Sequence, residues 1–204
     1  MSTWREQLDD GADIDVVRDW VAGNYHYVSL VGFLIFAFFT RIRYWERFLT
    51  QGTVLYNGND PFYHFRSVEY IVNNWPATMP FDPWTNFALG TSNSQFGTLF
   101  DQLIATGALI IGLGNPSEQQ IRLAVLFAPV VFGTLTLIPA YVISRRVGGR
   151  FGGVLGTAVV AFAAGSLYQM GFVGSSDHHI AEGLFQAIAV LGVMVAVSVA
   201  QAEK

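Results

Sequence analysis

The sequence predicts an all-α polytopic membrane protein. Of its 204 residues 52% are hydrophobic and only 13% are charged. The mean hydropathy is +0.40, and four apolar runs are long enough to cross a bilayer. A soluble globular domain carries about 25% charged residues, so lipid is the solvent this composition suits. Aromatic residues make up 15% of the chain, and Trp and Tyr collect where a membrane meets water.

The first run spans 25–45, with Trp20, Tyr25 and Tyr27 at one end and Tyr44 and Trp45 at the other. About 20 helical residues cross a 30 Å hydrocarbon core, so this run spans. Residues 46–119 differ in character: Pro61, Pro76, Pro80, Pro83 and Pro116, with many Asn and Gly, mark a long structured loop. Within it, Phe65, Val68, Val72 and Trp75 recur at three- and four-residue spacing opposite Arg66, Glu69 and Asn73. That pattern predicts an amphipathic helix over 61–75, lying on the membrane surface. The apolar run 103–114 is too short to span comfortably and is expected to be interfacial or re-entrant.

Two further spans are expected at 121–144 and 151–172, joined by a tight turn at 145–150, and a last at 180–200. The first of these carries Pro129 and Pro139, which membrane helices tolerate. The second opens on Gly149, Gly152, Gly153 and Gly156, small residues that permit close helix contact.

Charge excludes some partners. Residues 1–20 hold six acids against two arginines, the whole of the net charge of −4. The remainder is balanced and offers no basic surface for nucleic acid. This acidic start lacks the basic run of a cleaved signal peptide and reads as a solvated segment. With no cysteine, disulfides and thiolate metal sites are excluded.

Sidedness follows from Arg145, Arg146 and Arg150, which place the short turn in the cytoplasm by the positive-inside rule. The loops 46–119 and 173–179 then share the external side, and both Arg5 and Lys204 lie inside. Summed over the chain the arginines show no bias, and Arg41 and Arg43 at the outer end of the first span oppose this orientation. The short turn decides it. Were 103–114 a span, Asp60 and Asp177 would face opposite sides.

Two polar clusters abut apolar runs: Gly58-Asn59-Asp60 and Asp177-His178-His179. Ionisable groups beside hydrocarbon mark function by default. Asp60 precedes Pro61 and Asp177 precedes the last span, so each can simply cap a helix. Capping leaves one carboxylate oxygen free to coordinate. Asp60, Asp177 and His179 together suit one divalent cation: Mn²⁺ or Zn²⁺ for mixed oxygen and imidazole donors, Mg²⁺ for oxygen-rich ones. His178 is then expected to point away from the ion. His26 and His64 read as interface residues, and Glu182 as a surface group.

Gly58-Asn59-Asp60-Pro61-Phe62-Tyr63-His64, opening a long external loop, resembles the first acidic motif of oligosaccharyltransferase catalytic subunits. Gly174-Ser175-Ser176-Asp177-His178-His179 is similar to their second motif in its archaeal form, where histidine replaces the second acid. The likeness runs over most of the chain, including the Arg-Arg turn and Pro139. It implies the N-terminal part of a GT-C-type transmembrane domain. The implied reaction moves an oligosaccharide from dolichol phosphate to asparagine in Asn-x-Ser/Thr, at the outer face of the cell membrane. The implied partners are a lipid-linked oligosaccharide, an acceptor protein and membrane lipid. The resemblance assigns Asp60, Asp177 and His179 to Mn²⁺ or Mg²⁺. On that footing Asp60 also holds the amide catalytically and His178 contacts the lipid phosphate. Family members are several hundred residues longer, with a later acidic loop and a soluble C-terminal domain absent here, so a fragment inactive alone is expected. Two other readings stand beside it: another lipid-phosphate glycosyltransferase such as a protein mannosyltransferase, and a non-enzymatic membrane protein whose Asp60 and Asp177 are caps alone.

Overall fold

The computed structural model describes residues 11–92 and 98–202; Arg5 and Lys204, assigned to the inner side by sequence, lie outside the described residues. In chain order come α1 (Gly11–Ile42), a 3-10 turn (Trp45–Phe48), β1 (Leu49–Thr50), β2 (Thr53–Val54) and α2 (Asp60–Asn74). Then follow β3 (Phe81–Asp82), β4 (Thr91–Ser92), α3 (Leu99–Ile111), α4 (Glu118–Leu135), α5 (Leu137–Ala161), α6 (Ser166–Met170) and α7 (His178–Ala202). Among the described residues, three stretches are long and apolar enough to cross a membrane: Ile14–Phe48, Glu118–Ala161 and His178–Ala202.

α1 bends at Asn24, whose backbone leaves helical geometry at φ −117° and ψ 15°. Its side-chain amide donates to the Trp20 carbonyl at 2.9 Å, a local bond that competes with the helix ladder. Past its far end, β1 and β2 form a minimal antiparallel hairpin, Leu49 opposite Val54. The turn residues Gln51 and Gly52 both have positive φ, 49° and 81°, as a two-residue turn between right-twisted strands requires.

α4 starts where Ser117 and Gln120 cap one another reciprocally, side chain to backbone in both directions. It runs almost without interruption through Thr136, itself helical, into α5. Gly148 and Gly149 then reverse the chain. Gly149 sits at φ 64° and ψ −158°, a region essentially closed to side chains. The returning arm, 150–161, packs against the arm it left. A Cβ on Gly156 would lie 1.9 Å from Ser144 Oγ, and one on Gly153 2.9 Å from the Tyr141 ring. The expected span 151–172 is therefore helical only as far as Ala161. Gly165, at φ 75°, breaks it before α6.

These helices run antiparallel, which fixes what lies at each end. At one end Arg150 bonds the Gly23 carbonyl, Arg145 the Tyr27 hydroxyl and Arg146 Ser198 Oγ. At the other, Val173 N–H donates to the Arg41 carbonyl, Gly174 N–H to Leu126 O and Tyr56 Oη to Arg122 O. Arg41 is fully buried between Gly133 and Gly171, over the Tyr168 ring. A charge enclosed by protein does not face the water layer, which removes Arg41 from the opposing side of the orientation argument.

α3 is 13 residues long, about 20 Å at helical rise, and docks on α2 and α4 through Phe100, Ile104, Ala105 and Ala108. Leu103, Ile110 and Ile111 stay exposed. α2 is likewise drawn into the protein: Phe65, Val68 and Ile71 join the main core with Val125 and Leu126 of α4 and Ile180 of α7. Trp75, expected on the apolar face, is 49% exposed, because the helix has ended at Asn74.

Candidate functional site

Each acidic motif enters its helix from a left-handed glycine, Gly58 at φ 87° and Gly174 at φ 81°. A side chain at 174 would also strike the Phe48 ring at 2.5 Å. The two loops are bonded directly to one another: Asn57 N–H donates to Gly174 O at 2.9 Å, and Asn57 Nδ2 to Ser175 Oγ at 3.1 Å.

The second loop is further anchored on α4, and Pro129 explains how. Proline has no N–H to give to the carbonyl four residues earlier, which is that of Val125. Ser176, fully buried, donates its hydroxyl to the Val125 carbonyl, while Gly174 N–H reaches Leu126 O at 3.0 Å.

Asp60 and Asp177 consequently line one open cleft of about 260 Å³, with Asn57, Asn59 and Ser175. Asp60 is exposed, at the first residue of α2, and makes no hydrogen bond or ion pair with the described residues; the position before it, Asn59, is the cap. Asp177 does cap its helix, accepting from His179 N–H at 3.0 Å, with its second oxygen left over.

Asp177, His178 and His179 offer ligand atoms all within 4.8 Å of one another. That departs from the expectation for His178, which turns toward its neighbours rather than away: its Nδ1 lies 3.5 Å from Asp177 Oδ1 and its ring 4.3 Å from that of His179. Asp60 lines a cleft with Asp177 but is not among the residues whose ligand atoms cluster there. His179 Nδ1 meets Glu182 Oε2 at 2.7 Å. A carboxylate only accepts, so Nδ1 carries the hydrogen and Nε2 is the ring's free donor atom. The donor set, a carboxylate with two imidazoles, suits a divalent cation; His178 is the member whose Nδ1 is already engaged, by the Tyr63 hydroxyl.

Tyr63, one turn into α2, brings its hydroxyl to 3.1 Å from His178 Nδ1. Burial, reinforced by Asp101, Asp60, Asp177 and Glu182, pushes the Tyr63 hydroxyl pKa well above its usual value. His64, expected at an interface, is 2% exposed and bonds Asp101 in the first turn of α3 at 2.6 Å. Sequence reasoning missed this pair, although Asp60, Tyr63 and His64 share a helix face at three- and four-residue spacing. A 530 Å³ cleft, lined by Leu99, Phe100, His178, Glu182 and Phe185 among others, adjoins the cluster.

Residues 27–202 match the family described as oligosaccharyl transferase STT3, N-terminal. The chain is 47% identical over 190 residues to the dolichyl-monophosphooligosaccharide–protein glycotransferase of Haloferax volcanii, covering 93% of this chain and 18% of that protein. It resembles the crystal structure of the Archaeoglobus fulgidus oligosaccharyltransferase tethered to an acceptor peptide containing an NVT sequon, with a TM-score of 0.74 and 30% identity over 83% of this chain and 20% of that one. The same Archaeoglobus enzyme in complex with Zn and sulfate gives 0.70 and 31% over 78% and 20%. The chain thus spans about a fifth of the length of the relatives it matches. Its all-α membrane fold is of the GT-C type those structures share. On sequence and on fold together, the chain belongs to the oligosaccharyl transferase STT3 family, within that family's N-terminal region.

Proposed function

We propose that this chain is the N-terminal membrane portion of an enzyme that transfers an oligosaccharide from a dolichol phosphate carrier to the asparagine of Asn-x-Ser/Thr. The work takes place at the external face of the cell membrane, with Mn²⁺ or Mg²⁺ as cofactor. The observation that carries this reading is the common cleft of Asp60 and Asp177, beside which Asp177, His178 and His179 bring their ligand atoms within 4.8 Å of one another. The relatives' names supply the chemistry: a dolichyl-linked glycan donor and a sequon-bearing acceptor.

Asp60, Asp177 and His179 would hold the cation, which when bound acts as a Lewis acid toward charge on the leaving phosphate oxygen. The remaining roles belong to the chain. Asp177 holds His179 by its backbone N–H, and Glu182 engages Nδ1, which leaves Nε2 as the ring nitrogen for a ligand. Asp60, unpaired, accepts an N–H of the acceptor amide. A bond forms from that nitrogen to the anomeric carbon as the carbon–oxygen bond to phosphate breaks, and the Asp60 carboxylate takes the amide proton. His178 contacts a phosphoryl oxygen. The apolar wall of the adjoining cleft suits an isoprenoid chain beside that phosphate.

Manganese binding to the purified chain tests the cation site. Asp60→Asn and His179→Ala should each weaken it by tenfold or more, with helical content unchanged. Wild-type affinity in both would leave Asp60 and Asp177 as helix-end residues alone and sink the proposal.

A further inference from the structure

The Asp101–His64 pair is the most deeply enclosed acid–base ion pair among the described residues, with side chains 4% and 3% exposed. Nothing in the proposed reaction uses it. Asp101 occupies the first turn of α3, where free backbone N–H groups and the helix dipole favour negative charge. A carboxylate there accepts, so the hydrogen sits on His64 Nδ1 and the ring plane is set by α3. His64 Nε2 is buried and has no partner. A nitrogen left so, in a ring held so firmly, suggests that its neighbours gain from its placement.

Those neighbours belong to the site. The His64 ring lies 4.0 Å from that of Tyr63 and meets the His178 ring at 5.7 Å and 62°. Phe100, beside Asp101 on α3, closes the other flank of His64 at 4.9 Å and 77°. His178 is therefore braced on one side by His64, while its Nδ1 is engaged by the Tyr63 hydroxyl at 3.1 Å. With the Tyr63 hydroxyl donating to Nδ1, the ring hydrogen sits on Nε2, which can then donate to an accepting ligand.

We propose that Tyr63 and the buried Asp101–His64 pair are positioning residues: they commit His178 to present Nε2 to a phosphoryl oxygen, through the packed helix pair α2 and α3. This rests on the proposed transfer reaction for the identity of the ligand, but not for the geometry. The short apolar helix α3 then acts as the brace of a site to which it contributes no ligand. Glu182, whose Oε1 lies 3.9 Å from His178 Nε2, is the group a phosphate would displace from that nitrogen's surroundings.

The test uses the whole chain in detergent, with ¹⁵N-labelled histidine and three variants: Tyr63→Phe, Asp101→Asn and His64→Asn. His64→Asn keeps a donor for Asp101 while removing the ring, so it separates the brace from mere satisfaction of a buried acid. The probes are Mn²⁺ alone for cation affinity and, for the ring signals, a short isoprenyl monophosphate added with diamagnetic Mg²⁺ present. Wild type should show the phosphate perturbing His178 Nε2 and not Nδ1. Each variant should bind the isoprenyl phosphate about tenfold more weakly, with Mn²⁺ affinity changed less than twofold. Unchanged phosphate affinity in Tyr63→Phe and His64→Asn overturns the proposal, as does a phosphate contact at Nδ1. A tenfold loss of Mn²⁺ affinity in Tyr63→Phe also overturns it, by making His178 a cation ligand. Should wild type bind no isoprenyl phosphate, the transfer reading fails. The positioning claim is then decided by the ring signals alone: His178 Nδ1 must change on Tyr63→Phe, and an unchanged signal defeats it.

Discussion

Val125 carries a carbonyl that its own helix cannot satisfy, and a serine 51 residues away supplies the donor. Removing that hydroxyl has a predictable sign. On an exposed loop a Ser→Ala change falls within about 0.5 kcal/mol of neutral, but a buried acceptor left without a partner costs about 1–3 kcal/mol. Ser176 is fully buried, so the larger figure governs and Ser176→Ala should lower the thermal midpoint. Pro129→Ala restores an N–H four residues on, so the double variant should lose less than the two single losses summed, measured as a thermal double-mutant cycle. Residue-level chemistry was only partly legible in the sequence. Asp60, Asp177, His178 and His179 stood out as polar groups beside apolar runs. His64 did not, because its partner Asp101 is 37 residues distant and heads a stretch whose apolar character hides one acid.

Among the elements, the hairpin within α5 was the plainest to read, since Arg145-Arg146-Val147-Gly148-Gly149-Arg150 combines charge with glycine between apolar runs. Its contacts give the glycines specific reasons. An added Cβ at 156 would stand 1.9 Å from Ser144 Oγ and 2.4 Å from Ser144 Cβ. Helix propensity favours alanine over glycine by about 1 kcal/mol, whereas overpacking costs about 1–3 kcal/mol. The clash should win: Gly156→Val is expected to destabilise the chain in a detergent unfolding titration, and Gly192→Val, with open space around it, to leave the midpoint nearly unmoved. Element ends were less readable. Within the expected span 151–172 the helix stops at Ala161 and the chain re-enters a helix only after Gly165, a break hidden inside an otherwise apolar window. α2 was foreseen as a surface helix from its periodicity. Periodicity identifies the apolar face but not what covers it, and the cover is α3 and α4.

At the scale of the whole molecule, both motif loops stand at one end and the arginine turn at the other. The chain has no cysteine, so single cysteines report sidedness cleanly. Ser175→Cys should react with a membrane-impermeant maleimide on intact cells, and Ser198→Cys, near Arg146, only after lysis. The reverse pattern would invert the orientation deduced from the arginines, and equal labelling of both would remove it. That the two motifs meet was not derivable from local pattern, because it depends on 103–114 failing to cross. Its length predicts an interfacial segment, and α3 lies docked beside α2 and α4.

One consequence of the proline inside the fourth helix reaches past this chain. An imino acid at 129 and a hydroxyl at 176 answer the same vacancy, so descent should keep or discard them as a couple. Relatives carrying an ordinary residue at the first position should be free to lose the alcohol at the second.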